Sequence, residues 1–326
     1  MCSKPLSIVV VSHLAGELLN RCLDSLLPQL HQQDQLLILI SAQPGQADIE
    51  NVRCEPILLG DNVGFARAAN AGFARSKHER ILLLNDDTKA EPGFLEELRE
   101  ASDEVGLYQP KILLDDGTGC IDNMGHGLYP DGFNWGRGRG AEDSERLSVA
   151  QEIGACSGAA MLIRREVLEA IGPFDEDLVA FGEDVDLSLR ALRAGFPIRS
   201  VPSARIYHVL GASYGRYNPE KLYLVEKNRM RAAVRSMPMS ALLTMPVWTG
   251  FRLAGLSCVS AAGKGYASGV STRGAKAAAM GVIAGVRSAP DAWRKRKRDA
   301  PGWALQELAM WERLMRHRIR LRDVIQ

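Results

Sequence analysis

The sequence predicts an α/β fold: a mostly parallel central sheet covered by helices, followed by a C-terminal helical extension. Three observations predict it. Short unbroken apolar runs at 6–12 (LSIVVVS), 36–40 (LLILI) and 80–84 (RILLL) suit strands buried on both faces. Segments with apolar residues at helical spacing separate them, and strands alternating with helices give a parallel sheet. Beyond about residue 220 the strand signals vanish and helical segments remain.

The elements follow in order. After the first strand, Leu18, Leu19, Cys22, Leu23, Leu26 and Leu27 line one side of a helix over 16–30. Residues 56–59 give a short strand, and 63–76 read as a helix with Phe65, Ala69 and Phe73 on one face. The strand at 80–84 stops abruptly at Asn85-Asp86-Asp87. Residues 107–113 give a further strand. Residues 115–145, rich in Gly, Asp and Asn, read as a long loop, and loops of that length usually carry function. Residues 154–163 run into a helix at 164–171. Another helix at 183–194 is stopped by Gly195 and Pro197, and 198–208 returns as a strand ending in His208. The boundary falls near 219: a nucleotide-binding α/β domain over 1–219 and a basic helical extension over 220–326.

Composition bounds the function. The 326 residues are 46% hydrophobic and 24% charged, a globular balance. A net charge of +1 conceals a split. Residues 1–200 hold 18 Lys/Arg against 32 Asp/Glu, and 201–326 hold 22 against 7. The two halves face different partners. The six cysteines form no CxxC pair, so neither a zinc spacing nor a disulfide framework is visible. The amino terminus reads as a strand rather than a secretory signal. The most apolar late segments are 241–262, interrupted by Pro246 and Arg252, and the short 275–286; neither is expected to span a membrane.

Four groups could carry chemistry. Adjacent Asp86 and Asp87 at a strand's carboxyl end repel each other unless a cation or donors neutralise them. A hard divalent ion bridging diphosphate oxygens would do so, and a plain Asn-Asp turn is the alternative. Glu183, Asp184 and Asp186 open a helix. Acids there favour the helix dipole, yet one of three could serve as a general base, while Asp186 and Arg190 pair at i, i+4. His208 ends a strand, where packing alone could explain it. The segment 60–67 (GDNVGFAR) presents backbone N–H groups at a helix start, as anion sites do. In the long loop, Tyr129, Phe133 and Trp135 offer aromatic faces for a sugar ring on the acceptor side, or ordinary packing.

Taken together, SIVVVS, NVGFARAANAGF, LLLNDDT, GACSGAAMLIRREVLEAIGPFDEDL, FGEDVDLSLRALRAGFPI and YHVLGAS resemble, in order and spacing, the family-2 glycosyltransferases of the rhamnosyltransferase-like branch. The resemblance covers about residues 5–215. It implies a GT-A fold and an inverting transfer of a sugar from a nucleotide-diphosphate donor. L-rhamnose from dTDP-rhamnose is the first choice and a UDP-hexose the alternative. The acceptor is a glycan or lipid-linked saccharide of the bacterial cell surface. By the same resemblance Asp87 and His208 hold a divalent metal, Mg²⁺ or Mn²⁺. Asp184 is the catalytic base, and Glu183 positions the acceptor. Ser12, Asn62, Gly64, Arg67, Asn70, Asn85 and Asp86 bind the donor, and Ser157 and Gly158 join Trp135 on the acceptor side. One departure stands out. The second strand ends Ser41-Ala42-Gln43 where the family carries an acidic base-binding motif, so base recognition falls to Ser41, Gln43 or main-chain groups.

A nucleotidyltransferase would need a glycine-rich signature that VSHLAGE lacks. An inactive carbohydrate-binding protein on the same scaffold is disfavoured by intact Asp87, Asp184 and His208. The tail combines RKRKR at 294–298 with Trp293, Trp303 and Trp311, which suits peripheral contact with the cytoplasmic face of an anionic membrane. An oligomer contact is the alternative for these helices. Without a nucleic-acid-binding fold beside it, the basic run does not indicate DNA or RNA.

Overall fold

The computed structural model describes residues 4–13, 15–42, 56–144, 147–211, 215, 217–263 and 269–325. In chain order these form β1 (Leu6–Ser12), α1 (Glu17–Leu26), β2 (Gln35–Ile40), β3 (Ile57–Leu58), α2 (Phe65–Arg75), β4 (Arg80–Asn85) and β5 (Thr88–Ala90). Then come α3 (Phe94–Ala101), β6 (Leu107–Leu114), β7 (Ile121–Asn123), β8 (His126–Leu128), β9 (Asn134–Gly136), β10 (Ala160–Arg164), α4 (Arg165–Ile171), α5 (Glu183–Arg193) and β11 (Ile198–His208). Five helices close the chain: α6 (Pro219–Ser236), α7 (Met239–Ala261), α8 (Thr272–Asp299), α9 (Glu307–Arg316) and α10 (Leu321–Ile325).

The central sheet runs β3-β2-β1-β4-β10-β6-β11-β5, with β7 beside β6. It is parallel from β3 to β4, where strand and helix alternate in the sequence. Beyond β4 it is mixed, because β10 runs antiparallel to both its neighbours and β5 runs antiparallel to β11. Every residue of β1 is buried. Strand alternation sends Ile8 and Val10 to one face, against Leu19 and Leu23 of α1 and Phe94 of α3. Val9 and Val11 go to the other, against Ala69 and Phe73 of α2 and Val185 and Leu189 of α5.

Residues 115–145 are not one loop. They hold β7 and the hairpin β8–β9, whose three-residue strands are too short to leave a readable period. Among the described residues the cysteines are unpaired.

The helices after residue 219 share the core of the sheet. Ala232 of α6, Met237 just after it, Met245 of α7 and Met310 and Leu314 of α9 pack with Val185 and Leu189. The helix α8 lies along α6 with its glycines at the seam. A Cβ on Gly281 would fall 2.3 Å from the Tyr223 carbonyl oxygen, so only glycine permits this approach. Fully buried Arg193 fastens α5 to the later helices. It donates to the carbonyls of Ser236 (2.7 Å) and Leu305 (2.9 Å), pairs with Glu307 and stacks on Trp303.

A buried group of four charges joins α6 and α7 to the β8–β9 hairpin. Arg252 donates to Asp131 (2.8 Å) and to both oxygens of Glu226 (2.9 and 3.0 Å). Arg229 donates to Glu226 (2.9 Å) and to the Asp131 carbonyl (2.5 Å). Burial alone would raise both carboxyls, but the two guanidiniums hold them below their usual range. The helix α7 runs unbroken through Pro246. Among the described residues it is the one helix long and apolar enough to cross a membrane. Its single charge, Arg252, points inward, while Leu243, Val247 and Phe251 are exposed.

Replacing Arg252 with Met leaves Asp131 and Glu226 short of a cation in a dry interior. The variant should lose roughly 3–5 kcal/mol of unfolding free energy. Arg294→Ala, at an exposed pair with Asp291, should change it by less than about 0.5 kcal/mol. Urea denaturation of the two variants checks the contrast.

Candidate active site

Four strand ends and one helix start meet at a single cavity of about 1210 Å³. Ser12, Asn62, Gly64, Asn85, Asp86, Asp87, Trp135, Ser157, Gly158, Glu183, Asp184 and His208 all line it. The site thus lies at the carboxyl ends of the parallel strands, where doubly wound sheets bind ligands.

Backbone pairing sets Asp87 beside His208. The two strands β5 and β11 pair antiparallel with His208 opposite Thr88, and Val209 N–H donates to the Asp87 carbonyl (3.0 Å). The His208 Nε2 consequently stands 3.4 Å from Asp87 Oδ1, and its Nδ1 stands 2.8 Å from Asp122 Oδ2 on β7. Burial opposes a charged imidazole, but Asp122 and Asp87 outweigh it and push His208 up to about 9. Asp122 also takes a hydrogen bond from Arg139 (2.6 Å), whose guanidinium lies over Trp135.

Beyond its 3.4 Å approach to His208 Nε2, buried Asp87 Oδ1 accepts no hydrogen bond, and neither does Asn85 Oδ1. Such orphaned oxygens facing a cavity fit a hard cation. Among the described residues no three His, Cys, Asp or Glu side chains form a complete ion cage. Asp87 and His208 thus offer two side chains that fit such an ion. Asp86 differs from its neighbour. Its carboxylate accepts from the Ser12 hydroxyl, and burial pushes it up to about 6.

On the far wall, α5 begins at Glu183 after a strained approach. Val179 and Phe181 have φ of 60° and 64°, values non-glycine residues avoid. The Asn228 side chain of α6 holds this loop by donating towards the carbonyls of Leu178, Ala180 and Phe181 at 2.7–2.9 Å. Gly64 presses on it from α2, where a Cβ would lie 2.8 Å from Val179 Cγ1. The result aims Asp184 at the cavity. Its Oδ2 accepts from Gly158 N–H (2.9 Å) and its Oδ1 from Val185 N–H (2.8 Å). Buried Glu183 has its carboxyl pushed well above the usual range, by burial first and then by Asp184. Its Oε2 has no partner.

Two expected donor ligands do not join the site. Arg67 turns to an ion pair with Glu176 (3.2 Å). The Asn70 amide exchanges hydrogen bonds with the Phe174 backbone (3.1 and 3.0 Å), which fixes the turn before α5. Both lie on the helix face that leans on residues 174–176. Ser41 lines the cavity, with its hydroxyl accepting from Val63 N–H (3.0 Å); Gln43 lies outside the described residues. Phe133 lines the cavity with Trp135, their rings stacked at 6.4 Å, whereas Tyr129 is buried against Trp248.

Sequence reasoning missed Asp122, Arg139 and His126. Buried His126 stands 3.8 Å from Asp184, and burial keeps its imidazole below the ordinary value. The short motif DNMGH over 122–126 was the available signal, but nothing marked it within a segment read as loop.

Comparisons with known proteins agree with this geometry. The family model described as "Glycosyltransferase like family 2" matches residues 4–234. The N-acetylglucosaminyl-diphospho-decaprenol L-rhamnosyltransferase of Mycobacterium tuberculosis is 28% identical over 243 residues, 65% of this chain and 78% of its own length. The dTDP-rhamnosyl transferase RfbF of Shigella flexneri is 24% identical over 201 residues, 58% of this chain and 64% of its own. The chain spans only 18% of a 32%-identical uncharacterised protein, y4gI, of Sinorhizobium fredii. Among solved structures, GalNAc-T7 with UDP, GalNAc and Mn²⁺ superposes with a TM-score of 0.56 at 16% identity, covering 74% of this chain and 49% of that one. The curled mixed sheet with helices on both faces is the GT-A fold. With the family model extending over most of its length, this chain belongs to the family 2 glycosyltransferases.

Proposed function

We propose that this glycosyltransferase moves L-rhamnose from dTDP-rhamnose, with inversion, onto a saccharide acceptor used in cell-surface polysaccharide synthesis. The convergence of Asp87, His208 and Asp184 on one cavity carries the reading. The two rhamnosyltransferase relatives support the choice of donor. Work at the cytoplasmic face of a membrane accords with the products those relatives make.

The carboxyl ends of β1 and β4 take the nucleotide diphosphate, with Ser12, Asn62, Gly64, Asn85 and Asp86 around it. Asp87 and His208 would hold a divalent ion, Mg²⁺ or Mn²⁺, as the Mn²⁺ in the GalNAc-T7 structure suggests. When bound, that ion neutralises charge growing on the departing diphosphate. Asp122 orients His208 so that Nε2 faces the cavity.

Across the cavity Asp184 is the base. Two backbone N–H groups and the start of α5 steady its carboxylate, leaving lone pairs for the acceptor proton. Attack by that hydroxyl on the anomeric carbon, opposite the leaving oxygen, inverts the configuration in one displacement. Glu183, kept protonated by burial, can donate a hydrogen bond that aligns the acceptor. Phe133 and Trp135 offer a stacked face to its ring, beside Ser157 and Gly158.

Asp184→Asn should lower kcat by roughly 10²–10⁴-fold while dTDP-rhamnose binding, followed by calorimetry, stays within about twofold. Turnover near the wild-type rate would remove Asp184 from the base role. Asp122→Asn should raise the Mn²⁺ concentration for half-maximal activity about 10–100-fold, with a matching loss of Mn²⁺-induced thermal stabilisation. An unchanged titration would separate Asp122 from the metal.

A further inference from the structure

The cavity does not end at the carboxylates. It continues as a trench between α7 and α8, floored by α6. Leu253 and Leu256 form one wall, Ala278 and Val282 the other, and Leu222 and Val225 the floor. The remaining α7 and α8 residues along it are small alanines and serines. Arg229 and Arg252 are bonded to Glu226 and Asp131, and Glu220 and Lys221 of α6 also line the cavity, Lys221 with its ammonium 5.2 Å over the Phe181 ring. Outside it, α7 exposes Leu243, Val247 and Phe251, and α8 exposes Met280, Ile283 and Val286. Water gains few hydrogen bonds from such a trench, where leucine, valine and alanine outnumber the hydroxyls of Ser257 and Ser260.

One continuous cavity thus has a carboxylate-rich end built for a sugar and a hydrocarbon-lined end. A wholly polar acceptor would leave the second end unused, and a plain lipid would leave the first. Only an amphiphile fits both. We propose that the trench between α7 and α8 binds the hydrocarbon chain of a lipid-linked saccharide acceptor, whose sugar end then lies beside Asp184. The inference rests on the transfer reading of the site, since that reading supplies the acceptor to which the chain belongs. The apolar outer faces of α7 and α8 give such a chain a route from a lipid surface without crossing water.

A binding test separates the trench from both the outer faces and the chemistry. Dodecyl glucoside below its micelle concentration and methyl glucoside are titrated into the full-length protein by calorimetry. The dodecyl compound should bind at least about tenfold more tightly. Ala279→Trp, which fills the trench, and Leu256→Glu, which charges its wall, should each remove that gain. Retained dTDP-rhamnose binding shows that both variants are folded. The outer-face variant Leu243→Glu/Phe251→Glu should keep it. Equal affinity for the two glucosides in the wild type overturns the proposal. So does a gain that survives both trench variants, or one that is lost only in the outer-face variant. None of these measurements needs turnover. Absence of transfer to any acceptor would therefore sink the transfer reading, while a lost chain-length effect in an active enzyme would sink the trench alone.

Discussion

Four charges buried at the junction of α6, α7 and the β8–β9 hairpin decide the shape of everything around them. Asp131, Glu226, Arg229 and Arg252 satisfy one another across segments about 120 residues apart in the chain. Each would be prohibitive alone in that interior, so the segments carrying them must close together. That closure draws α7 over the hairpin, brings Phe133 under the Arg252 guanidinium, and seats Asn228 of α6 where it can grip the strained turn before Asp184. The aim of the Asp184 carboxylate is therefore set partly by helices that a reading by domains would place elsewhere.

The site also shows how one cavity gives neighbouring carboxyl groups separate tasks. Burial, and then Asp184 beside it, push the Glu183 carboxyl well above the usual range. Asp184, one residue on, accepts two backbone N–H groups at a helix start. Asp86 leans on the Ser12 hydroxyl, while Asp87 faces His208 with an unmet oxygen. All four line one cavity, yet adjacent acids in each pair meet different partners, set by the strand end and the helix start that carry them.

Much of this was legible from residues alone. The strands 6–12, 36–40 and 80–84 announce themselves because burial on both faces removes polar alternation. The metal and base candidates were legible because each ends a strand or opens a helix. The failures have local causes. Arg67 and Asn70 lie on α2 where their partners, Glu176 and the Phe174 backbone, are more than 100 residues away in the chain, so their direction was not legible locally. The strands β7 to β9 are too short for periodicity, and this concealed Asp122 and His126. The strand β10 hid because GAAMLI, followed directly by a helix, reads as that helix's own start.

The helix α7 shows why composition alone cannot assign a hydrophobic segment. By length and apolarity it could cross a bilayer, and one arginine in 23 residues would not forbid that. The position of that arginine argues otherwise. Arg252 makes three hydrogen bonds to carboxylates on the protein side, so that face of α7 is fixed against the hairpin and α6. A spanning helix would have to carry both carboxylates, their own partners and the folded domain with it into hydrocarbon. The same contact leaves the opposite face free and uncharged. Pinned by Arg252 on one face, α7 turns Leu243, Val247 and Phe251 outward on the other, beside the trench it borders.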